Sequence, residues 1–106
     1  MIPDLSPPTI PAYIVGEHVE VFCPWCGTIH IHGTAPGGRT SHCLIGGREY
    51  TLVPTLAPMP EELRRAATLN RRRLSNYLDR GGEYTPILPD LDGIQYDAND
   101  GGVQHA

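Results

Sequence analysis

Apolar and polar residues alternate along the first half of this chain and recur at three- and four-residue steps in the second. From His18 to Cys23, Val19, Val21 and Cys23 fall on one face of an extended segment. From Thr28 to His32, Ile29 and Ile31 take one face while His30 and His32 take the other. Both patterns predict strands. Gly33-Thr34-Ala35-Pro36-Gly37-Gly38 is turn material, after which Arg39 to Leu44 is expected to return antiparallel to the preceding strand. Gly46-Gly47 marks a second turn, and Arg48 to Val53 a last strand ended by Pro54. The expectation is a short antiparallel sheet of three or four strands.

The period then changes. Leu63, Ala66, Ala67, Leu74, Tyr77 and Leu78 form one helical stripe over residues 60–80, with Leu69 lying off it. Pro60 suits the first helical position, Glu61 and Glu62 suit the positive end of the helix dipole, and Gly81 suits a C-terminal cap. The flanks carry neither period. Residues 1–12 are proline-rich and read as an extended arm, and residues 81–106, rich in Gly and Asp and without Lys or Arg, read as an acidic tail with no core of its own. The predicted organisation is a small α+β protein with extended termini. Its β domain (13–54) is followed by one amphipathic helix (60–80) packed on it.

Composition makes that β domain look short of core. The 106 residues include 12 Gly and 11 Pro but only one Trp and one Phe, so an added staple is expected. Three cysteines cannot all pair within one chain, which points to reduced thiols and a cytoplasmic setting. Met1 to Pro8 has no basic stretch and no apolar run, so no signal peptide is expected, and no segment is apolar enough to span a membrane. A net charge of −4 argues against a general nucleic-acid coat.

The staple is legible in the chemistry. All three cysteines and three of the five histidines lie between residues 23 and 43: Cys23-Pro-Trp-Cys26-Gly, His30-Ile-His32-Gly and His42-Cys43. Thiolates and imidazoles at this spacing suit one tetrahedral Zn2+. Cys-Pro-Trp-Cys-Gly after a strand has the form of a zinc knuckle, a tight turn that aims two sulfurs at one point. If the chain turns back at residues 33–38, Arg39 faces His32, Ser41 faces His30 and Cys43 faces Thr28 beside the knuckle. That register selects Cys23, Cys26, His30 and Cys43. A slip of one residue brings in His42 instead, and a looser hairpin His32.

Other chemistries fit the pattern less well. Strand-Cys-Pro-Trp-Cys is shared with the redox centre of glutaredoxins, but that chemistry needs a helix starting at the second Cys, and Gly27 to Gly33 will not form one. His18-Val19-Glu20 before Cys23 is too close to the knuckle for a zinc deaminase, and Pro24 lies inside the cysteine pair. A hydrolytic site needs an open coordination position and a general base, and the cluster contains no acidic residue. No catalytic residue is therefore predicted.

The pattern Cys-x2-Cys-x3-His-x-His-Gly followed by Gly-x-Arg-x2-His-Cys, over residues 23–33 and 37–43, resembles small zinc-ribbon-like proteins of actinobacteria and their phages. The resemblance implies zinc at the matching positions Cys23, Cys26, His30, His32, His42 and Cys43. It also implies a bacterial or phage-infected cell, or a virion, as the setting. It implies no reaction.

For function, two classes of partner remain. The chain has no Lys, and six of its eight Arg lie in the helix: Arg64, Arg65, Arg71, Arg72, Arg73 and Arg80. Arg64, Arg65, Arg71, Arg72 and Arg73 are the candidate partner-binding residues. A protein-interaction or structural role is the expected one, and nucleic-acid binding through the arginines is the alternative.

Overall fold

Five strands and then one helix follow one another along the chain: β1 (Thr9–Val15), β2 (His18–Phe22), β3 (Ile29–Gly33), β4 (Gly37–Thr40), β5 (Glu49–Thr55) and α1 (Glu61–Arg80). The structure, a computed structural model, describes residues 7–41, 43 and 46–90. The architecture is α+β, with all strands in one sheet of order β3-β2-β1-β5-β4.

The sheet is mixed rather than antiparallel. β1 lies at its centre, antiparallel to β2 and parallel to β5, in the register Thr9↔Thr51 to Tyr13↔Thr55. This strand was not expected, because the prolines near it suggested an arm. Pro11 is tolerated because the β1–β2 ladder runs only from Tyr13 to Val15, so no partner there calls for its missing N–H. Pro54 likewise does not end β5. The Thr51 N–H points toward β1, where it meets the Pro8 carbonyl, so the alternating Pro54 nitrogen faces the β4 side, where pairing has already stopped at Leu52.

The expected β3–β4 hairpin does not form. β4 pairs instead with β5, placing Arg39 opposite Tyr50. β3 and β4 are the two edges of the sheet, yet only residues 34–36 join them. In a flat sheet four strand spacings would separate them by about 19 Å. The chain from residue 33 to 37 reaches at most about 14 Å. The sheet must therefore curl until its edges approach. His32 on β3 duly meets Tyr50 on β5, with Nε2 2.6 Å from the hydroxyl, although β2 and β1 lie between those strands.

Each face of the sheet has its own core. The concave face buries Ile10, Ala12, Val19, Val21, Tyr50 and Leu52 together with Cys23, Trp25 and Cys26. The opposite face turns Tyr13 and Phe22 toward Met59, Leu63, Ala66 and Ala67, so the first half of α1 covers it. Gly81 caps the helix, donating its N–H to the Tyr77 carbonyl at 2.7 Å. The apolar stripe is shorter than expected: Leu63, Ala66, Ala67 and Leu74 are buried, but Leu78 is half exposed. Asn70 fills the gap in the stripe and is fully buried.

Beyond the helix, residues 81–90 do pack, unlike the coreless tail expected. Tyr84 joins the concave core, and Ile87 and Leu88 join the helix-side core. Residues 91–106 lie outside the described part, as do residues 1–6 of the arm. Among the described residues no helix is long and apolar enough to cross a membrane.

Candidate metal centre

The site begins at the end of β2. Alternation carries Val19, Val21 and then Cys23 onto the concave face, and the chain turns sharply at Pro24-Trp25. The turn is closed twice by backbone: Gly27 donates to the Cys23 carbonyl and Cys23 donates to the Thr28 carbonyl, both at 2.9 Å. Gly27 adopts φ 71°, a left-handed conformation that disfavours side chains. An added Cβ would also lie 2.2 Å from Asn70 Nδ2. The Cys26 N–H points back at the Cys23 sulfur, 3.5 Å away. Polar backbone thus already faces the point where the sulfurs converge.

Cys23, Cys26, His30 and Cys43 come together there, with their ligand atoms all within 4.8 Å of one another. Cys23 Sγ is 3.2 Å from Cys43 Sγ, and His30 Nε2 is 3.4 Å from both Cys26 Sγ and Cys43 Sγ. A tetrahedral ion with bonds of about 2.0 Å to nitrogen and 2.3 Å to sulfur holds such ligands about 3.5–3.8 Å apart. The donor set and its spacing fit such an ion, and these four residues can hold one. Cys43 arrives by a route the sequence did not indicate. Instead of facing Thr28 across a hairpin, it enters from the turn between β4 and β5, where Ser41 Oγ sits 3.3 Å from its sulfur and accepts the Arg48 N–H at 3.0 Å.

The remaining histidines are accounted for separately. His32 lies on the same face of β3 as His30 but one pair further along, where it meets Tyr50 and packs edge-on against its ring. Burial first, then the nearby thiols, keeps the Tyr50 phenol protonated, so it can donate to His32 Nε2. His42 lies outside the described residues. Trp25 stacks on Tyr50 with ring centroids 5.6 Å apart, and the Arg48 guanidinium lies over the Trp25 ring, 5.6 Å from its centroid.

The electrostatics are those of a metal-seeking cluster. Burial and the neighbouring sulfurs push the Cys23 thiol far above its ordinary range. Hydrogen bonds from Cys23 and Cys43 hold Cys26 far below it, against its burial. Burial works to lower the His30 pKa, but hydrogen bonds to Cys26 and Cys43 outweigh it and raise the value to about 9. Without an ion, a buried cluster of this kind cannot carry all its thiolates, and the charge is shared through protons. A divalent cation would replace those protons.

Sequence reasoning missed three residues that frame the centre. Asn70 donates from Nδ2 to the Gly27 and Ile87 carbonyls at 2.9 Å each, and its Oδ1 accepts the Ile87 N–H at 2.8 Å. Tyr84 donates its hydroxyl to the Cys26 carbonyl. Thr28 places Oγ1 3.0 Å from Cys26 Sγ. The signal available for Asn70 was a lone amide on an apolar stripe, a position that needs buried partners.

The candidate partner-binding arginines lie apart from this centre. Arg65, Arg71, Arg72 and Arg73 are exposed on α1. Arg64 is only partly exposed and pairs with Glu20 on β2 at 2.8 Å, and Arg73 reaches the Thr85 carbonyl at 3.3 Å. No protein-family model, no curated protein and no solved structure matches this chain.

Proposed function

We propose that this is a zinc-binding, non-catalytic protein whose Cys3His centre staples a small domain, and that the domain serves as a protein-interaction or structural module. The observation that carries the zinc reading is the closed quartet itself, with three sulfurs and one imidazole within 4.8 Å of one another. Soft sulfur with imidazole favours Zn2+ over oxygen-seeking ions. Four protein ligands complete a tetrahedral shell and leave no position for a reacting water. Cys26 leads through Gly27 into β3 rather than into a helix, so no helix dipole tunes either knuckle sulfur for thiol exchange. The resemblance to zinc-ribbon-like proteins of actinobacteria and their phages agrees with this reading, and a phage origin is part of the proposal.

The interaction reading rests on the outer face of α1. Leu69, unexplained by the apolar stripe, is 48 % exposed between Arg65 and Arg72, four residues before and three after it. Residues at those steps share one face. An exposed apolar anchor flanked by arginines suits an acidic protein surface with an apolar pocket. Nucleic acid is the alternative partner, since Arg65, Arg71 and Arg72 could contact phosphate.

Elemental analysis of protein purified without added metal is expected to give about one zinc per chain. A folded, metal-free protein would end the zinc reading. For the interaction, Leu69→Ala should weaken capture of a protein partner while leaving the weak binding of a mixed oligonucleotide unchanged. Tight oligonucleotide binding that falls steeply with salt would favour the alternative.

A further inference from the structure

Segment 83–90 is tied both to α1 and to the turn that carries two of the proposed ligands. The Cys26 carbonyl accepts the Tyr84 hydroxyl. The next carbonyl, that of Gly27, accepts Asn70 Nδ2, and the same amide grips Ile87 through both its N–H and its carbonyl. Asn70 is therefore a buried rivet through three layers: knuckle, helix and returning segment. Pro86 presses on the same spot, its Cβ 3.0 Å from where a Cβ on Gly27 would stand. Ile87 and Leu88 then pack against the helix-side cluster that contains Phe22, Met59 and Leu63. Both carbonyls belong to the same short turn that carries Cys23 and Cys26 and is closed by the Gly27–Cys23 bond, so whatever fixes or loosens that turn acts on them.

We propose, on the zinc reading above, that the metal centre operates a latch. Zinc fixes the knuckle carbonyls, the carbonyls seat Tyr84 and the Asn70–Ile87 pair, and the seated segment covers part of the helix-side apolar cluster. Loss of zinc lets the turn relax and the segment leave, uncovering that part. The coupling is geometric and therefore mutual: whatever zinc contributes to seating the segment, the seated segment contributes to holding zinc.

The experiment uses the full chain in its zinc-loaded form and two variants, Asn70→Ala and Tyr84→Phe. Amide hydrogen exchange reads segment 83–90, and competition with a chromophoric chelator reads zinc affinity. Each variant should raise exchange in 83–90 by about tenfold or more, leave β1 and β5 protected, and weaken zinc by a comparable factor. Tyr77→Phe, on the neighbouring ring, should change neither quantity. Chelation of the wild-type protein should free the same segment before the sheet opens.

Variants that free the segment yet hold zinc as tightly as wild type would overturn the latch, because mutual coupling would then be absent. So would variants in which the segment stays protected. Collapse of the whole wild-type chain on chelation would remove the ordered release, and the latch would fail on that ground even with normal zinc content. A wild-type protein that takes up no zinc sinks the earlier reading instead, and that result is read separately by elemental analysis.

Discussion

The two faces of the sheet solve the same problem by different means. On the helix side, Tyr13 and Phe22 are buried by Met59, Leu63, Ala66 and Ala67, an ordinary exchange of water for apolar contact. On the concave side, the buried set includes Cys23 and Cys26, both almost fully enclosed, and the polar atoms of Tyr50, His32 and Ser41. Apolar burial of Ile10, Ala12, Val19, Val21 and Leu52 contributes there as well, but thiolates and an imidazolium cannot be enclosed as charges without a partner. Hydrophobic contact therefore suffices on one face, and ligation is assigned a share of the other. The two should fail under different insults.

The largest expected effect is on the concave side. Cys26→Ser or Cys43→Ser should abolish stoichiometric zinc and disorder the knuckle, β3 and segment 83–90, read as lost dispersion for those residues in amide NMR spectra while β1 and β5 keep theirs. Both variants keeping the wild-type spectrum would show that these thiols are not structural ligands.

Next comes the helix side. Leu63→Ala removes the most buried large side chain of α1 and should cost about 2–5 kcal/mol in chemical denaturation. Zinc content under native conditions should remain one per chain. Loss of zinc in this variant would mean that the two faces are a single cooperative core, and the contrast between them would dissolve.

A third test separates the faces by pH. In the metal-free centre His30 titrates near 9 and Cys23 higher, so at pH 7 both hold protons that ligation must expel. Binding that releases protons strengthens as pH rises. Zinc affinity should therefore climb by at least about two decades per pH unit between pH 6 and 8, one decade for each proton. The slope should ease by one as pH passes 9 and His30 empties. A slope shallower by one decade, with no easing near pH 9, would remove His30 from the ligand set.

The smallest effect concerns the outside of α1. Replacing Arg65, Arg71 and Arg72 together with Gln should shift stability by no more than about 0.5 kcal/mol, since exposed charges contribute little to folding. A large fall in melting temperature would show that these side chains are engaged in holding the fold.

The helix and three strands were legible because their periods are unbroken: α1 covers Glu61–Arg80 where 60–80 was expected, and β2, β3 and β5 follow their alternation. β1 was hidden by Pro11, whose tolerance depends on where a neighbouring ladder stops, a fact of tertiary structure. The quartet around the knuckle was readable from residue type and spacing, but the path of Cys43 was not. A turn can deliver a side chain to the same point from either side, and only the pairing of β4 with β5 decides which. Asn70 was illegible as a rivet because its partners, the Gly27 carbonyl and Ile87, are backbone atoms 43 and 17 residues away.

The curl of the sheet has a consequence for the protein's behaviour in company. β3 and β4 each present an open row of backbone donors and acceptors, the template on which foreign strands add. Only residues 34–36 join the two strands, and His30–Cys43 and His32–Tyr50 tie β3 to the chain after β4 and to β5. A stranger's strand that forced these edges apart would also pull on the quartet. The ion would then act as a chaperone as much as a staple: zinc-starved chains should clump in proportion to their concentration, and replenished ones should stay single.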